Sequence, residues 1–149
     1  MPYLAMIDRL RSFLSRKSAF LIVCGYSFSD EHLNEVLAEG LRGNPTATVF
    51  ALQFGALEGY KSAVDIATKS SNLILLARDA AVIGTSLAPW QSKKTADADP
   101  ADPFVSWDED AKNAGTYVGN LLLGDFVQFG QFLTGVMGDR PLIPQVPPS

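Results

Sequence analysis

Hydrophobic and polar positions follow two alternating patterns through the first half of the chain. Between residues 2 and 17 apolar residues recur every three or four positions, which predicts an amphipathic helix. Residues 19–24 then form a continuous apolar run that ends at a glycine. Such a run is typical of a parallel strand covered on both faces. We therefore expect a helix followed by a buried central strand.

The same alternation continues beyond this strand. Ser29 can cap a second helix, which carries Asp30 and Glu31 in its first turn and ends at Gly43. Residues 47–54 and 73–77 predict two further strands, with a third helix between them. Strands that alternate with helices of this length predict an α/β fold with a parallel, Rossmann-like sheet.

The pattern changes near residue 90, which predicts four parts. Residues 1–90 are expected to form the nucleotide-binding half domain, and residues 91–115 a polar, charged loop. Residues 116–140 predict a C-terminal helical segment with aromatic bulk on one side, which should be buried. The proline-rich tail, residues 141–149, should be extended and peripheral.

The composition of the chain excludes several classes of protein. A length of 149 residues with 47% hydrophobic and 19% charged residues suits one globular domain. The net charge of -4 and the scattered basic residues argue against a nucleic-acid partner. The single cysteine, Cys24, excludes an internal disulfide and a multi-cysteine zinc site, and it fits a reducing, cytoplasmic compartment. No apolar stretch is long enough to predict a membrane span.

The residues that join the first strand to the second helix carry candidate binding chemistry. In open parallel sheets, ligands bind beyond the carboxyl ends of the strands. Gly25 would let a ligand approach the main chain, while Ser27 and Ser29 offer hydroxyl groups and the start of the helix offers free amides for a phosphate or ribose. Alternatively, the serines only cap the helix and the glycine only turns the chain.

The segment FLIVCGYSFSDEHLNEVL, residues 20–37, resembles the second half of sirtuin-like domains in bacterial proteins. Many of those proteins are NAD-consuming antiphage defence enzymes. The resemblance implies a sirtuin-type half domain in which Gly25 and Ser27 hold the adenosine ribose and phosphates of NAD. Tyr26 and Phe28 would shape the pocket or pack beneath it. Weaker similarity continues through residues 72–84 and resumes near residues 124–126.

Two positions depart from the family pattern or imitate it. Residues 84–87 read GTSL and match the sirtuin motif more literally, but Pro89 and a charged stretch follow them in place of an amphipathic helix. We therefore favour Gly25 and Ser27 over Gly84 and Ser86. The second predicted strand ends in Gln53 and a phenylalanine where sirtuins present an isoleucine-asparagine pair to the ribose.

The resemblance also implies which groups should be sought elsewhere. The glycine-rich turn, asparagine and histidine that support hydrolysis in this family are encoded upstream of the matching region. We assign no catalytic residue, because His32 lies in a first helical turn, where capping or packing explains it. Asp30 is likewise explained by the helix dipole.

The sequence therefore predicts the C-terminal part of a sirtuin-like NAD hydrolase, a fragment with NAD as substrate and no zinc. The alternative is a non-catalytic module that senses a nucleotide or assembles with itself or a partner protein through the last helix. A deacylase remnant is a third reading, and it would require an upstream cysteine cluster.

Overall fold

The computed structural model describes residues 2–92 and 103–138. Its helices are α1 (Pro2–Leu14), α2 (Glu31–Gly43), α3 (Lys61–Ala67) and α4 (Phe126–Met137), and a short 3₁₀ helix (Leu57–Gly59) precedes α3. Its strands are β1 (Phe20–Cys24), β2 (Thr48–Leu52), β3 (Leu73–Leu76), β4 (Ala80–Ile83), β5 (Ser86–Pro89), β6 (Gln91–Ser92), β7 (Val105–Glu109) and β8 (Tyr117–Leu121). The predicted tail and ten residues of the predicted polar loop lie outside the described ranges.

The first five strands form one sheet in the order β1-β2-β3-β4-β5. Strands β1, β2 and β3 run parallel, with Ile22 beside Phe50 and Phe50 beside Ile74. The predicted α/β fold with three parallel strands is therefore confirmed. The sheet is mixed, however, because β4 and β5 join it in antiparallel orientation.

A tight turn explains the antiparallel pair. Gly84 and Thr85 connect β4 to β5 and have φ angles of 56° and 71°. Two consecutive residues with positive φ are typical of the hairpin turns that join antiparallel strands, since their twist matches that of the strands. Gly84 and Thr85 of the literal GTSL segment thus form a hairpin turn, and its last two residues begin β5, where a nucleotide-binding motif would have a helix.

The predicted central position of β1 is wrong. Among the described residues β1 pairs with β2 alone and lies at the edge of the sheet. Phe20 is 56% exposed and Ile22 is 37% exposed. A continuous apolar run indicates that both faces of a strand are apolar, but it carries no information about how many neighbouring strands are present.

The hydrophobic core lies on one face of this sheet. Val49 and Ala51 of β2 and Leu73 and Leu75 of β3 are fully buried and belong to one cluster. That cluster also includes side chains from the three preceding and intervening helices: Leu14, Leu37, Leu41, Ala63 and Ala67. Helices α1, α2 and α3 therefore cover this face. On the opposite face, Phe20, Ile22, Phe50 and Ile74 retain solvent exposure, and we call these four residues the open face.

The C-terminal region contains a second sheet that the sequence did not predict. Strands β6, β8 and β7 form a three-stranded antiparallel sheet in that order. Gly119 of β8 packs against two tryptophan side chains, since a Cβ atom there would lie 2.9 Å from the Trp107 ring and 3.0 Å from Cβ of Trp90. The polar loop predicted for residues 91–115 and the helical segment predicted to begin at residue 116 thus each include strand residues.

Helix α4 forms as predicted, but its expected burial is wrong. None of its residues is buried, and Phe126 and Val136 are 77% and 68% exposed. Its best-defined contact is between Phe132 and Phe104, whose rings meet edge to face with centroids 5.5 Å apart. Among the described residues, no helix combines the length and apolar character that crossing a bilayer requires.

Candidate functional site

The turn formed by residues 25–29 lies between the carboxyl end of β1 and the start of α2, as predicted. Gly25 and Phe28 have φ angles of 76° and 59°. Positive φ is costly for a bulky side chain, and such strain persists only where the surroundings enforce it. Phe28 is 1% exposed, whereas Gly25 and Ser27 are exposed. The turn therefore exposes Gly25 and the Ser27 side chain to solvent, while the Phe28 ring is buried.

The side chain of Asn34, on α2, forms hydrogen bonds that stabilise this turn. Its side-chain nitrogen donates to the carbonyl oxygen of Phe28 at 2.8 Å. Its side-chain oxygen accepts from the Tyr26 hydroxyl at 2.8 Å, and the rings of Tyr26 and Phe28 pack with centroids 4.7 Å apart. These contacts explain how a phenylalanine is held in a left-handed conformation.

Gln53, at the end of β2, forms a hydrogen bond that stabilises the same turn. It follows β2, is 2% exposed, and its Nε2 donates to the carbonyl oxygen of Tyr26 at 2.8 Å. Gln53 and Phe54 stand where sirtuins present an isoleucine-asparagine pair to the ribose, and the sequence departs from the family pattern there. The side-chain amide of Gln53 bonds the backbone of the turn, so the residue helps to hold the turn in its conformation.

Two hydroxyl groups are available on the exposed side. The Oγ atoms of Ser27 and Ser29 lie 3.0 Å apart, and either can donate to the other. Both side chains are exposed. A vicinal diol such as that of ribose can exchange hydrogen bonds with such a pair, because each hydroxyl both donates and accepts.

The start of α2 is capped by Asp30, which corrects the expectation that Ser29 caps the helix. Asp30 Oδ1 accepts from the backbone nitrogen of Leu33 at 3.1 Å, and Oδ2 accepts from the Tyr3 hydroxyl at 2.8 Å. The bond from Leu33 and then the bond from Tyr3 lower the pKa of the Asp30 carboxyl. An ionised carboxylate therefore already occupies the helix end where free amides were expected, so this turn suits a ribose better than a phosphate.

The only histidine and the only cysteine in the chain lie close to the turn. His32 is exposed in the first turn of α2, and its charge adds to the lowering of the Asp30 pKa. The Cys24 thiol lies 3.8 Å from the carbonyl oxygen of Gly124. Burial, followed by the nearby Asp125 carboxylate, raises the pKa of Cys24. A thiol that is protonated at neutral pH is a poor nucleophile.

Asp125 belongs to the segment that enters α4 beside this end of the sheet. Its carboxylate caps α4 by accepting from the backbone nitrogens of Val127 and Gln128. Immediately before it, Gly124 lies so close to the backbone of Gln53 and Phe54 that a Cβ atom would collide with it. The C-terminal segment is therefore packed directly against the end of β2.

Two cavities lined by other parts of the chain can be compared with the turn. One of about 450 Å³ lies near the C-terminal ends of α2 and α3 and is lined in part by Arg42 and Lys69. Another of about 610 Å³ is lined in part by Leu57 and Leu87. Basic residues at helix C-termini offset the negative end of the helix dipole, and Lys69 also pairs with Asp65 at 2.8 Å.

No model of a known protein family matches the chain, and no curated protein matches it. Within residues 2–92 and 103–138, no group of three His, Cys, Asp or Glu side chains is arranged to hold a metal ion.

Proposed function

We propose that the chain forms part of a sirtuin-like NAD-binding domain in which the 25–29 turn contacts a ribose of NAD. The observation that carries this proposal is the geometry of the turn. A strained but firmly held loop at the carboxyl end of a parallel strand exposes a glycine and two hydroxyls 3.0 Å apart. Strain of this kind is concentrated at binding sites, and ligands of open α/β sheets bind at this edge.

The residues of the turn have distinct roles in the proposed site. Gly25 has no Cβ atom, so the ribose ring can approach the main chain. Ser27 exchanges a hydrogen bond with a ribose hydroxyl, while Tyr26 and Phe28 pack beneath and define the shape of the loop. The phosphates of NAD extend away from the Asp30 carboxylate, since like charges repel.

In the intact protein the proposed activity is NAD hydrolysis, of the kind used in bacterial antiphage defence. This activity rests on the resemblance of residues 20–37. Cleavage of the bond between nicotinamide and ribose passes through a cation-like state, and an enzyme needs a group that positions or activates water. In this proposal those groups come from outside the chain, and the turn holds the substrate.

Substitution of two serines tests the location of the site. Ser27→Ala should weaken NAD binding by about two- to tenfold, because a neutral hydrogen bond contributes about 0.5 to 1.5 kcal/mol. Ser86→Ala, in the hairpin that resembles the motif more literally, should leave the affinity unchanged. Titration calorimetry on both variants measures this, and the reverse ranking would move the site to the hairpin.

A second experiment tests the division of labour between binding and chemistry. Purified chain incubated with NAD should release no nicotinamide above a buffer blank, as followed by chromatography. The turn offers a glycine and hydroxyls to the ribose, and these groups do not activate water. Turnover that disappears in His32→Ala would contradict the proposal and would make His32 a catalytic residue.

The alternative function is that of an assembly module, and one observation favours it. Helix α4 exposes Phe126 and Val136 and buries no residue. Large exposed apolar patches mark contact surfaces for other proteins. Absence of NAD binding in the wild-type chain, together with a change of oligomeric state in Val136→Lys, would favour this second function.

A further inference from the structure

Gln53 stands out among the polar residues of the core. In the described part of the chain, it is the polar or charged residue that is buried, with 2% of its surface exposed. A buried amide needs hydrogen-bond partners, because an unpaired polar group costs about 1 to 3 kcal/mol. Its position at the end of β2 and its bonds therefore call for a structural or functional reason.

The side chain of Gln53 links the end of β2 to the 25–29 turn. Its backbone nitrogen donates to the carbonyl oxygen of Leu76 at 2.8 Å, so the residue is anchored in the sheet. Its Nε2 donates to Tyr26, a residue 27 positions earlier in the chain. The Tyr26 carbonyl belongs to the segment that carries Gly25 and Ser27. The position of this carbonyl therefore fixes where the exposed part of the turn lies.

The C-terminal segment packs against the backbone of Gln53. Gly124 packs against the Gln53 backbone with no room for a Cβ atom. The preceding strand β8 is bonded to the turn between β3 and β4, because the backbone nitrogen of Leu121 donates to the carbonyl oxygen of Arg78 at 2.7 Å. Gln53 thus contacts the C-terminal segment through its backbone and the turn through its side chain.

We propose that Gln53 is a positioning residue for the 25–29 turn, acting through the Tyr26 carbonyl and not touching the ligand. The ligand part of this inference rests on the proposed function. In the sirtuins that the sequence resembles, an isoleucine-asparagine pair faces the ribose at this strand end, whereas here Gln53 is buried and bonds the turn. Here the buried amide preorganises the loop, which lowers the cost of ordering it when ligand binds.

Two variants with a matched control test this inference. Gln53→Met keeps the length of the side chain and an apolar filling but removes the donor. Gln53→Asn stays polar but is one methylene too short to reach Tyr26. The control is Asn72→Met, because Asn72 Nδ2 also bonds backbone carbonyls, those of Leu41, Asn44 and Ala47, before the start of β3 and far from the turn.

The measurements are NAD affinity by calorimetry, thermal midpoint, and amide hydrogen exchange of residues 25–29 by mass spectrometry. Both Gln53 variants should speed exchange in the turn by about tenfold while leaving β1, β2 and β3 protected. They should also weaken NAD binding by about two- to tenfold. Asn72→Met should lower the thermal midpoint without changing the exchange of the turn or the affinity.

Each contrary outcome is distinct. Unchanged turn exchange in both Gln53 variants overturns the inference, as does faster exchange spread evenly over the whole sheet. Unchanged NAD binding by both Gln53 variants, despite faster exchange of the turn, would overturn the ligand part of the inference. If the wild-type chain binds no NAD, the proposed function fails, and the exchange measurement alone decides whether Gln53 positions the turn.

Discussion

Asp30 shows how much a single side chain can organise near the candidate site. Its two carboxylate oxygens link the first turn of α2 to Tyr3 at the beginning of α1. It also places a negative charge beside the exposed hydroxyls of the turn. The residue therefore contributes to local stability and, in the proposed site, would favour a ribose over a phosphate.

The lowered pKa of Asp30 predicts how stability depends on pH. A folded-state pKa below the unfolded value of about 4 means that the ionised carboxylate stabilises the fold above that pH. This contribution is lost as the pH falls through the lower folded-state value. The thermal midpoint of Asp30→Ala should lie below that of the wild type at pH 7.

The same comparison repeated from pH 7 down to pH 2 completes the test. The difference in midpoint between wild type and Asp30→Ala should shrink below about pH 4. Tyr3→Phe removes one of the two donors, so it should show a smaller difference with the same pH trend. A difference that grows on acidification would contradict this assignment.

At the level of residues, the sequence located the turn but not the way it is held. A glycine after an apolar run and a serine-rich helix start are local signals, so Gly25 and Ser27 could be found. Asn34 and Gln53 act over 6 to 27 positions of sequence, and an amide side chain gives no local sign of its partner. The choice between Ser29 and Asp30 as cap was equally open, because both residue types favour that position.

At the level of elements, close packing of α1 against α2 depends on a glycine. A Cβ atom at Gly40 would lie 2.7 Å from Cδ1 of Leu14, and Leu14 is fully buried. Gly43, at the end of the same helix, has open space around it. The two glycines therefore form a matched pair that differs in packing.

Alanine substitution at these glycines should have opposite effects. Gly40→Ala should lower the free energy of unfolding by about 1 to 2 kcal/mol, because overpacking outweighs the gain in helix propensity. Gly43→Ala should be neutral or stabilising by up to about 1 kcal/mol. Urea denaturation measures both. A stabilising Gly40→Ala would show that α1 is not packed as closely as described.

Elements with strong periodicity were predictable, whereas their neighbours were not. The helices and the three parallel strands follow from apolar spacing, which local sequence contains. The edge position of β1 and the antiparallel addition of β4 and β5 depend on pairings that local sequence does not contain. Strand β7 carries Asp108 and Glu109, so it resembled a charged loop, and β8 lies within the segment that was predicted to be helical.

For the whole molecule, the dominant feature is an apolar sheet with helices α1, α2 and α3 packed on one face. The open face brings Ile22, Phe50 and Ile74 side by side across three strands, and Phe20 lies beside them on β1 with its ring centroid 5.3 Å from that of Phe50. Strand β1 has no charged residue and no proline. Charged residues and prolines are the features by which natural edge strands avoid pairing with other chains.

This combination predicts that the chain associates with itself as its concentration rises. An unprotected edge offers unpaired backbone groups, and apolar side chains next to it add a favourable burial term. Phe20→Lys places a charge on the edge strand and should shift the chain toward monomer in sedimentation velocity experiments across a concentration series. Leu4→Lys is the matched control, because Leu4 is also an exposed apolar residue but lies on α1, away from the strand edge. Its charge should leave association unchanged if the contact is made by β1. A monomeric wild-type chain at every concentration, or equal effects of the two lysines, would show that β1 is not the contact surface.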